Sequence, residues 1–142
     1  MTDYSFDDTN WRTEKIVSLE EAIDRSETLK DQGKTVVTTN GSFDLLHAGH
    51  LDQLEEARAQ GDVLIVGINS DRSVQQAKGT QRPLVPEAAR AAMLAALEAV
   101  SYVVIVDEDY DSMAQHFVRR VRPDIHVNGP DYGPVEGWLE YE

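Results

Sequence analysis

Two histidines, His47 and His50, flank Ala48 and Gly49 where a strand-like segment gives way to a helical pattern. A short polar turn, residues 40–44, lies between the strand and the histidines. A strand that runs through such a turn into a helix brings unpaired backbone N–H groups and the positive end of the helix dipole together, which favours an anion. Imidazoles beside it could donate hydrogen bonds to phosphoryl oxygens and stabilise charge that grows in a transition state.

Glycines at two positions support the same chemistry. Gly41 and Gly49 would let the backbone approach a ligand closely, because a Cβ at either position would collide with it. The histidines alone would be weak support, since isolated pairs of this spacing are more often loop and helix-cap residues. It is the agreement of the whole stretch, residues 38–50, that favours a phosphate site.

Composition limits the classes of function. The chain has 142 residues, no cysteine and a formal net charge of −13, and it is long enough for one domain with a real core. The acidity argues against nonspecific binding to nucleic acid or anionic lipid. The sequence has no apolar run of the ~18 residues that a membrane span needs. The lack of cysteine fits a reducing compartment, so we expect a cytoplasmic protein.

One segment departs from the acidic background. Between residues 71 and 90 the chain has two acids and four bases, which are Asp71, Glu87, Arg72, Lys78, Arg82 and Arg90. A cationic segment inside an anionic protein predicts a place that holds a small anion. An ordinary solvated face is the alternative.

Periodicity and capping signals predict alternating helices and strands. The predicted order is a loose arm over residues 1–14, helix 19–32, strand 35–39, helix 49–60, strand 63–68, a short helix 71–77, a glycine- and proline-marked loop 78–83, a helix from residue 86, strand 102–106, helix 112–121 and strand 125–128. The apolar, β-branched run 63–68 is typical of a strand covered on both faces. The predicted fold class is therefore α/β, a doubly wound, Rossmann-like parallel sheet that forms a single domain over residues 15–142.

The predicted sheet would bring three polar turns together. Residues 40–44, 69–71 and 128–131 each follow a predicted strand. In doubly wound sheets ligands bind beyond the carboxyl ends of the strands, near the switch in strand order. We therefore expect the three turns to line one crevice.

The central stretch also carries a resemblance. Gly41-Ser42-Phe43-Asp44 followed by His47-Ala48-Gly49-His50 resembles the signature of the cytidylyltransferase-like nucleotidyltransferases, in which a glycine-x-phenylalanine-aspartate turn precedes His-x-Gly-His. Other segments are similar to the nucleotidyltransferase domain of bacterial ADP-heptose synthases; they are residues 15–19, 69–71, 78–79, 82–83, 90, 96–104 and 128–132. The resemblance covers roughly Lys15 to Tyr132.

The resemblance implies transfer of a nucleotidyl group from ATP to a sugar 1-phosphate, such as heptose 1-phosphate, with release of pyrophosphate. His47 and His50 would be catalytic. Contacts to the nucleotide and its phosphates would come from Asn40, Gly41, Ser42, Phe43, Lys78, Arg82 and Arg90. The acceptor or its sugar would be bound by Asp44, Asn69, Asp71, Asn128 and Asp131.

Three of these residues have a structural alternative. Asp44 could be a turn residue whose carboxylate accepts backbone N–H groups, Asp71 could be a helix N-cap, and Arg90 could be a solvated helix residue. Mg²⁺ is expected on the phosphates of the nucleotide, because the sequence shows no dedicated carboxylate cage and no metal ligands are assigned. The family resemblance also implies a homodimer.

Departures from the family pattern leave two alternatives open. The pattern usually continues into a further strand and a serine/threonine-rich helix start, which this sequence does not contain, so we expect a domain shortened at its C-terminal end. Asn128 also stands where the heptose enzymes commonly have lysine. The alternatives are a glycerol-3-phosphate-type cytidylyltransferase that uses CTP, and a noncatalytic domain that binds nucleotide.

Overall fold

The computed structural model of the chain describes residues 11–128. Within that range six helices and four strands follow one another: α1 Trp11–Lys15, α2 Leu19–Asp31, β1 Val36–Gly41, α3 Ala48–Arg58, β2 Val63–Asn69, α4 Asp71–Lys78, α5 Glu87–Ala95, β3 Tyr102–Val106, α6 Tyr110–Val121 and β4 Ile125–Val127.

The four strands form one parallel sheet in the order β3-β2-β1-β4. The register pairs Thr39 of β1 with Val66 of β2 on one side and with Val127 of β4 on the other. The chain therefore moves outward from β1 to β3 and then returns to the far side of β1. This order confirms the predicted doubly wound, Rossmann-like α/β sheet, and it places the topological switch between β1 and β4.

Both faces of the sheet are covered, which explains the continuously apolar strands. On one face the core joins Val37 and Leu64 of the sheet to Leu54 of α3 and Leu94 of α5. The opposite face carries a second core formed by strands, α2 and α6; among its members are Val36, Ile65, Ala22, Met113 and Phe117. Successive side chains of β1 alternate between the two cores, as the pleat requires.

The N-terminal helix is the main difference from the sequence-based expectation, which placed a loose arm up to residue 14. α1 occupies the end of that stretch, and Lys15 Nζ donates hydrogen bonds to the carbonyls of Leu97 (3.1 Å) and Val100 (2.7 Å). Ile16 also forms an isolated parallel bridge with Val103. These partners lie more than 80 residues away in the chain, so no local pattern could have indicated them. Residues 1–10 lie outside the described range.

Other boundaries differ by about two residues. β1 continues through Asn40 and Gly41 because both pair with β2, whereas the predicted strand ends at Thr39. α6 begins at Tyr110 and not at Ser112. None of the helices within residues 11–128 has the length and apolar character needed to cross a membrane.

Candidate functional site

The turn that joins β1 to α3 is shaped by Phe43. This residue has φ +48°, in the left-handed region that non-glycine residues seldom adopt. Its ring is buried and lies against Gly41, where an added Cβ would be 3.0 Å from Phe43 Cε2. Gly41 is therefore needed so that the chain can fold back over its own strand end.

The two histidines lie together at the start of α3. Their rings stack with centroids 3.9 Å apart and an interplanar angle of 27°. His47 is the N-cap of the helix, and its Nδ1 accepts a hydrogen bond from the Gly49 N–H at 3.0 Å. His50 Nδ1 accepts one in return from the His47 N–H at 3.2 Å. A Cβ at Gly49 would be 2.9 Å from His47 Cε1, so the stack requires glycine there.

These caps fix the tautomer of both rings. A neutral imidazole has one donor and one acceptor nitrogen. Because each Nδ1 accepts a backbone N–H, the proton of each neutral ring lies on Nε2, an assignment that follows from the hydrogen-bond network. Within residues 11–128 no hydrogen bond to either Nε2 occurs. The pair therefore offers two N–H donors to a ligand.

The helix amides are less available than the sequence suggested. The N–H groups of Gly49, His50 and Leu51 all donate to atoms of His47. At this end of α3 the donors available to bind an anion are therefore the Nε2–H groups of the two imidazoles and not these three backbone amides.

His50 is held in its neutral form. Its ring is partly buried and lies 5.2 Å from the Phe43 ring at an angle of 60°. Burial, with the neighbouring His47 ring as the second cause, lowers the pKa of His50 below its ordinary value. A neutral His50 keeps Nδ1 as an acceptor, so the cap and the tautomer persist at neutral pH.

Arg90 is buried and does not line an open phosphate site. Only 1% of the residue is exposed, and its guanidinium donates four hydrogen bonds of 2.8 Å. The acceptors are the carbonyls of Val85, Ser42 and Asn69 and the Asp71 carboxylate. The structure therefore corrects both sequence-based views of Arg90, a pyrophosphate ligand and a solvated residue, because its donors join the ends of β1 and β2 to α5.

Asp44 also has partners within the chain. Its carboxylate accepts the N–H groups of Leu84 (3.0 Å) and Val85 (2.8 Å) and lies 3.7 Å from Arg82 Nη1. Burial alone would raise the pKa of Asp44, but these two backbone hydrogen bonds, with Arg90 and Arg82 nearby, lower it overall. The alternative in which Asp44 fixes a turn describes this structure better than a contact to acceptor hydroxyls.

Asn69 and Asp71, at the end of β2, belong to the same network. Asn69 donates to Ser73 Oγ at 3.0 Å and accepts from Ser42 Oγ at 3.4 Å. The Asp71 carboxylate accepts a hydrogen bond from the Arg90 guanidinium. The N-cap of α4 is Ser70. The sequence-based alternative that made Asp71 the N-cap is wrong by one residue, because the Ser70 hydroxyl accepts the Ser73 N–H.

The remaining bases of the cationic segment divide into two groups. Arg72 is paired with Asp107 (2.9 Å) and Asp109 (3.0 Å). Lys78 and Arg82 are exposed as well, and Arg82 lies 3.7 Å from the Asp44 carboxylate. Of the three cations predicted to contact phosphate, Lys78 and Arg82 have their charge at the surface, and Arg90 does not.

The switch between β1 and β4 holds the other predicted ligands. Asn40 and Asn128 directly follow Thr39 and Val127, which are paired in the sheet. Asn40 is 3% exposed, and its Oδ1 is buried without a hydrogen-bond partner among residues 11–128. Two of the three predicted turns, 40–44 and 69–71, thus meet through Arg90 and Ser42. Asp131, with the rest of the third turn, lies outside the described residues.

A separate groove of about 530 Å³ lies on the α3 side of the sheet and contains neither histidine. It is lined by Leu51, Leu54, Glu55, Arg58, Ala59, Leu97, Glu98 and Ala99. The lining begins at Leu51, one residue after His50, so the groove adjoins the start of α3 but presents different side chains.

Comparisons with known proteins agree with this site. Residues 38–139 match the family model described as cytidylyltransferase-like. The chain is 50% identical over 120 residues to the bifunctional protein HldE of Campylobacter fetus and 47% identical over 120 residues to that of Geobacter metallireducens. These alignments cover 83% and 84% of this chain but 24% of each relative, so the chain spans about a quarter of their length.

A solved structure shows the same fold. The lipopolysaccharide core biosynthesis protein from Thermoplasma volcanium superposes with a TM-score of 0.64 at 30% sequence identity, over 77% of this chain and 85% of that one. Together with the family match over most of the sequence and the stacked histidines of the shared signature, this similarity settles the classification. The chain belongs to the cytidylyltransferase-like family of nucleotidyltransferases.

Proposed function

We propose that the chain transfers a nucleotidyl group from ATP to a sugar 1-phosphate, with heptose 1-phosphate as the first candidate, and releases pyrophosphate. The observation that carries the proposal is the stacked pair of imidazoles at the start of α3, each with its Nδ1 accepting a backbone N–H and its Nε2–H left for a ligand. The choice of a sugar phosphate rests on the resemblance to ADP-heptose synthases and on the similarity to the HldE proteins.

The reaction would be an in-line displacement at phosphorus. An oxygen of the sugar phosphate attacks the α-phosphorus of ATP, the bond from that phosphorus to the β-bridging oxygen breaks, and pyrophosphate leaves with the electron pair. No covalent enzyme intermediate is needed. Catalysis then depends on positioning and on stabilising negative charge at the α-phosphate.

His47 and His50 would supply that stabilisation. Both rings are fixed by their caps, and His50 is further held by Phe43, so the Nε2–H donors need little rearrangement when charge develops. Removing one such preorganised donor typically costs about 10²–10³ in rate. The backbone amides of Ser42 and Phe43 are proposed to contact the α-phosphate.

Further positive charge would come from the exposed cations. Lys78 and Arg82 are proposed to meet the pyrophosphate or the acceptor phosphate. Arg90 is assigned no contact, because it is buried and four of its five N–H donors already bind the chain. Its part is to hold the Ser42 carbonyl and so the shape of the turn.

Mg²⁺ is proposed to arrive with the nucleotide. Among residues 11–128 no group of three or more histidine, aspartate or glutamate side chains could hold a metal ion. The nearby carboxylates of Asp44 and Asp71 already accept hydrogen bonds from the chain. When bound, the cation would neutralise charge on the phosphates.

A substrate panel tests the proposal. Pyrophosphate release is measured for ATP, CTP, GTP and UTP, each with heptose 1-phosphate, glycerol 3-phosphate and no acceptor, with Mg²⁺ present. We expect release with ATP and heptose 1-phosphate, and its loss in His50→Ala. Release with CTP and glycerol 3-phosphate would support the cytidylyltransferase alternative. Nucleotide binding without any release would support the noncatalytic one.

Two further features stay proposals. The homodimer implied by the resemblance is tested by sedimentation equilibrium. A cytoplasmic location fits the absence of cysteine from the sequence and the intracellular supply of ATP, and fractionation of the native host would check it.

A further inference from the structure

Asn40 differs from every other polar residue described at the ends of β1 and β2. The residue is only 3% exposed, and its side-chain oxygen is buried with no hydrogen-bond partner in the described range, residues 11–128. Buried amide oxygens are nearly always paired, because an unpaired one loses its bonds to water and gains nothing. Because this unpaired acceptor lies beside the candidate site, a donor group of a bound ligand could pair with it.

The neighbours of Asn40 do not supply a donor. The Thr39 hydroxyl donates to the Val127 carbonyl at 2.7 Å, and Thr38 Oγ1 lies 2.8 Å from His126 Nδ1. In the register of the sheet Asn40 is opposite Gly67, which has no side chain. The hydroxyls of the two preceding residues on β1 are thus already engaged, and β2 offers no side chain opposite Asn40.

The chemistry of the atom restricts its partner. A phosphoryl oxygen is an acceptor at neutral pH, so it would repel an amide oxygen instead of bonding to it. A sugar hydroxyl, or the exocyclic amino group of a base, carries the proton that this atom lacks. A phosphate contact by Asn40 would therefore have to come from its Nδ2 amide, and Oδ1 would still need a donor.

We propose that Asn40 is a specificity-determining residue whose Oδ1 accepts a hydrogen bond from a hydroxyl or amino group of the substrate, not from its phosphates. The inference rests on the proposed function, because it assumes that a nucleotide or a sugar phosphate binds beyond the carboxyl end of β1. A ligand that lacks this group would leave the oxygen unpaired in the complex. Sites of this kind discriminate strongly against such analogues.

The test compares Asn40→Leu with Asn69→Leu in the full chain. Asn69 is a matched control, since it is the same residue type at the end of the adjacent strand, is 2% exposed, and has partners in Ser42 and Ser73. We expect Asn40→Leu to melt at or above the wild-type temperature, because it removes an unpaired acceptor, and Asn69→Leu to melt lower. Asn40→Ala repeats the comparison without the bulk of leucine.

Binding supplies the second readout, by calorimetry with three probes, each with Mg²⁺: ATP, heptose 1-phosphate and inorganic pyrophosphate. Asn40→Leu is expected to weaken the binding of at least one of the first two by about tenfold and to leave pyrophosphate unchanged. Loss confined to ATP assigns the nucleoside as the source of the donor, and loss confined to heptose 1-phosphate assigns the sugar.

Two results would overturn the inference alone: equal binding of all probes by wild type and Asn40→Leu, or destabilisation of both Asn40 variants as large as that of Asn69→Leu. Wild-type protein that binds none of the probes would overturn the proposed function, and this inference with it. If Asn40→Leu also weakened the binding of pyrophosphate, Asn40 would be a phosphate contact, and the proposal that its Oδ1 accepts from a hydroxyl or amino group would be rejected.

Discussion

At the start of α3, each imidazole uses one nitrogen to cap the helix and keeps the other for a ligand. Around Arg90, which lies at the same edge of the sheet, the guanidinium donates four hydrogen bonds to its own chain. Both regions contain the polar residue types expected of a phosphate site. They differ in whether those groups already have partners.

The difference shows how residues that bind a ligand can be distinguished from residues that hold the site in place. A residue type at a motif position does not reveal whether the fold or the ligand uses it. The bonds that each group already makes, taken together with its burial, answer that question. His47 and His50 each keep an Nε2–H for a ligand, whereas Arg90 is buried with four of its five N–H groups bonded. Asp44 already accepts two backbone N–H groups. Arg90 and Asp44 therefore hold the turn that presents the histidines.

The largest expected effect is on stability, from Arg90→Met. The substitution leaves three carbonyls and the partly exposed Asp71 carboxylate without their donor. Since each buried acceptor left unpaired costs about 1–3 kcal/mol, we expect a loss of at least about 3 kcal/mol. Urea denaturation should show this loss of unfolding free energy. Arg82→Met is the control, since Arg82 is exposed and its replacement should change stability by about 0.5 kcal/mol or less. Equal effects of the two substitutions would remove the distinction between the regions.

The histidines should show the reverse pattern. His47→Ala and His50→Ala are each expected to lower turnover by about 10²–10³. The lost cap should cost only about 1 kcal/mol of stability. Steady-state pyrophosphate release and urea denaturation on the same samples give both numbers. A variant that loses several kcal/mol of stability but keeps its turnover would make the pair structural.

A third histidine, His126, extends the comparison to β4, the outer strand beside β1 in the described sheet. Burial lowers the pKa of His126 to about 4, against a small opposing contribution from Asn128. The unfolded chain takes up this proton near pH 6.5 and the folded chain only near pH 4, so folding stability is lost as the pH falls through that window. From these two pKa values the loss is roughly 3 kcal/mol.

His126→Gln keeps a polar side chain that does not titrate. Urea denaturation of this variant at pH 7 and at pH 4 should show a smaller decline than wild type by that amount. An identical decline in both proteins would mean that other groups carry the acid sensitivity.

The smallest effect is expected from Gly49→Ala. The new methyl group would lie 2.9 Å from His47 Cε1, so the ring must move away from its stack with His50. We expect turnover to fall about tenfold, a difference of ~1.4 kcal/mol, with stability nearly unchanged because alanine favours the helix. Ala48→Gly, which adds no atom, is the matched control. Full activity in Gly49→Ala would show that the stacked arrangement is not needed.

Much of the fold could be predicted because its signals are local. Apolar runs, glycine stops and capping residues marked the strands and most helices within about two residues, and the signature located His47 and His50. The partners of Arg90 and Asp44 could not be predicted in the same way. The Ser42 carbonyl lies 48 residues from Arg90, and Val85 lies 41 residues from Asp44.

One further difference arose because two neighbouring residues were equally good candidates for the same role. Ser70 and Asp71 are both good N-caps, and only the hydrogen bond from the Ser73 N–H decides between them. The unpaired Oδ1 of Asn40 likewise depends on the residues around it, because the residue type alone does not indicate whether its side chain has a hydrogen-bond partner.

The central claim is that His47 and His50 present Nε2–H to the phosphates of a nucleotide. Long-range ¹H–¹⁵N NMR spectra of uniformly labelled protein at pH 7 measure the tautomer directly, with His47→Ala and His50→Ala providing the assignments. The account predicts that each ring carries its proton on Nε2 and uses Nδ1 as an acceptor, and that both Nε2 signals shift when ATP and Mg²⁺ are added. A proton on Nδ1 of either ring, or Nε2 signals that do not move when nucleotide binds, would contradict it.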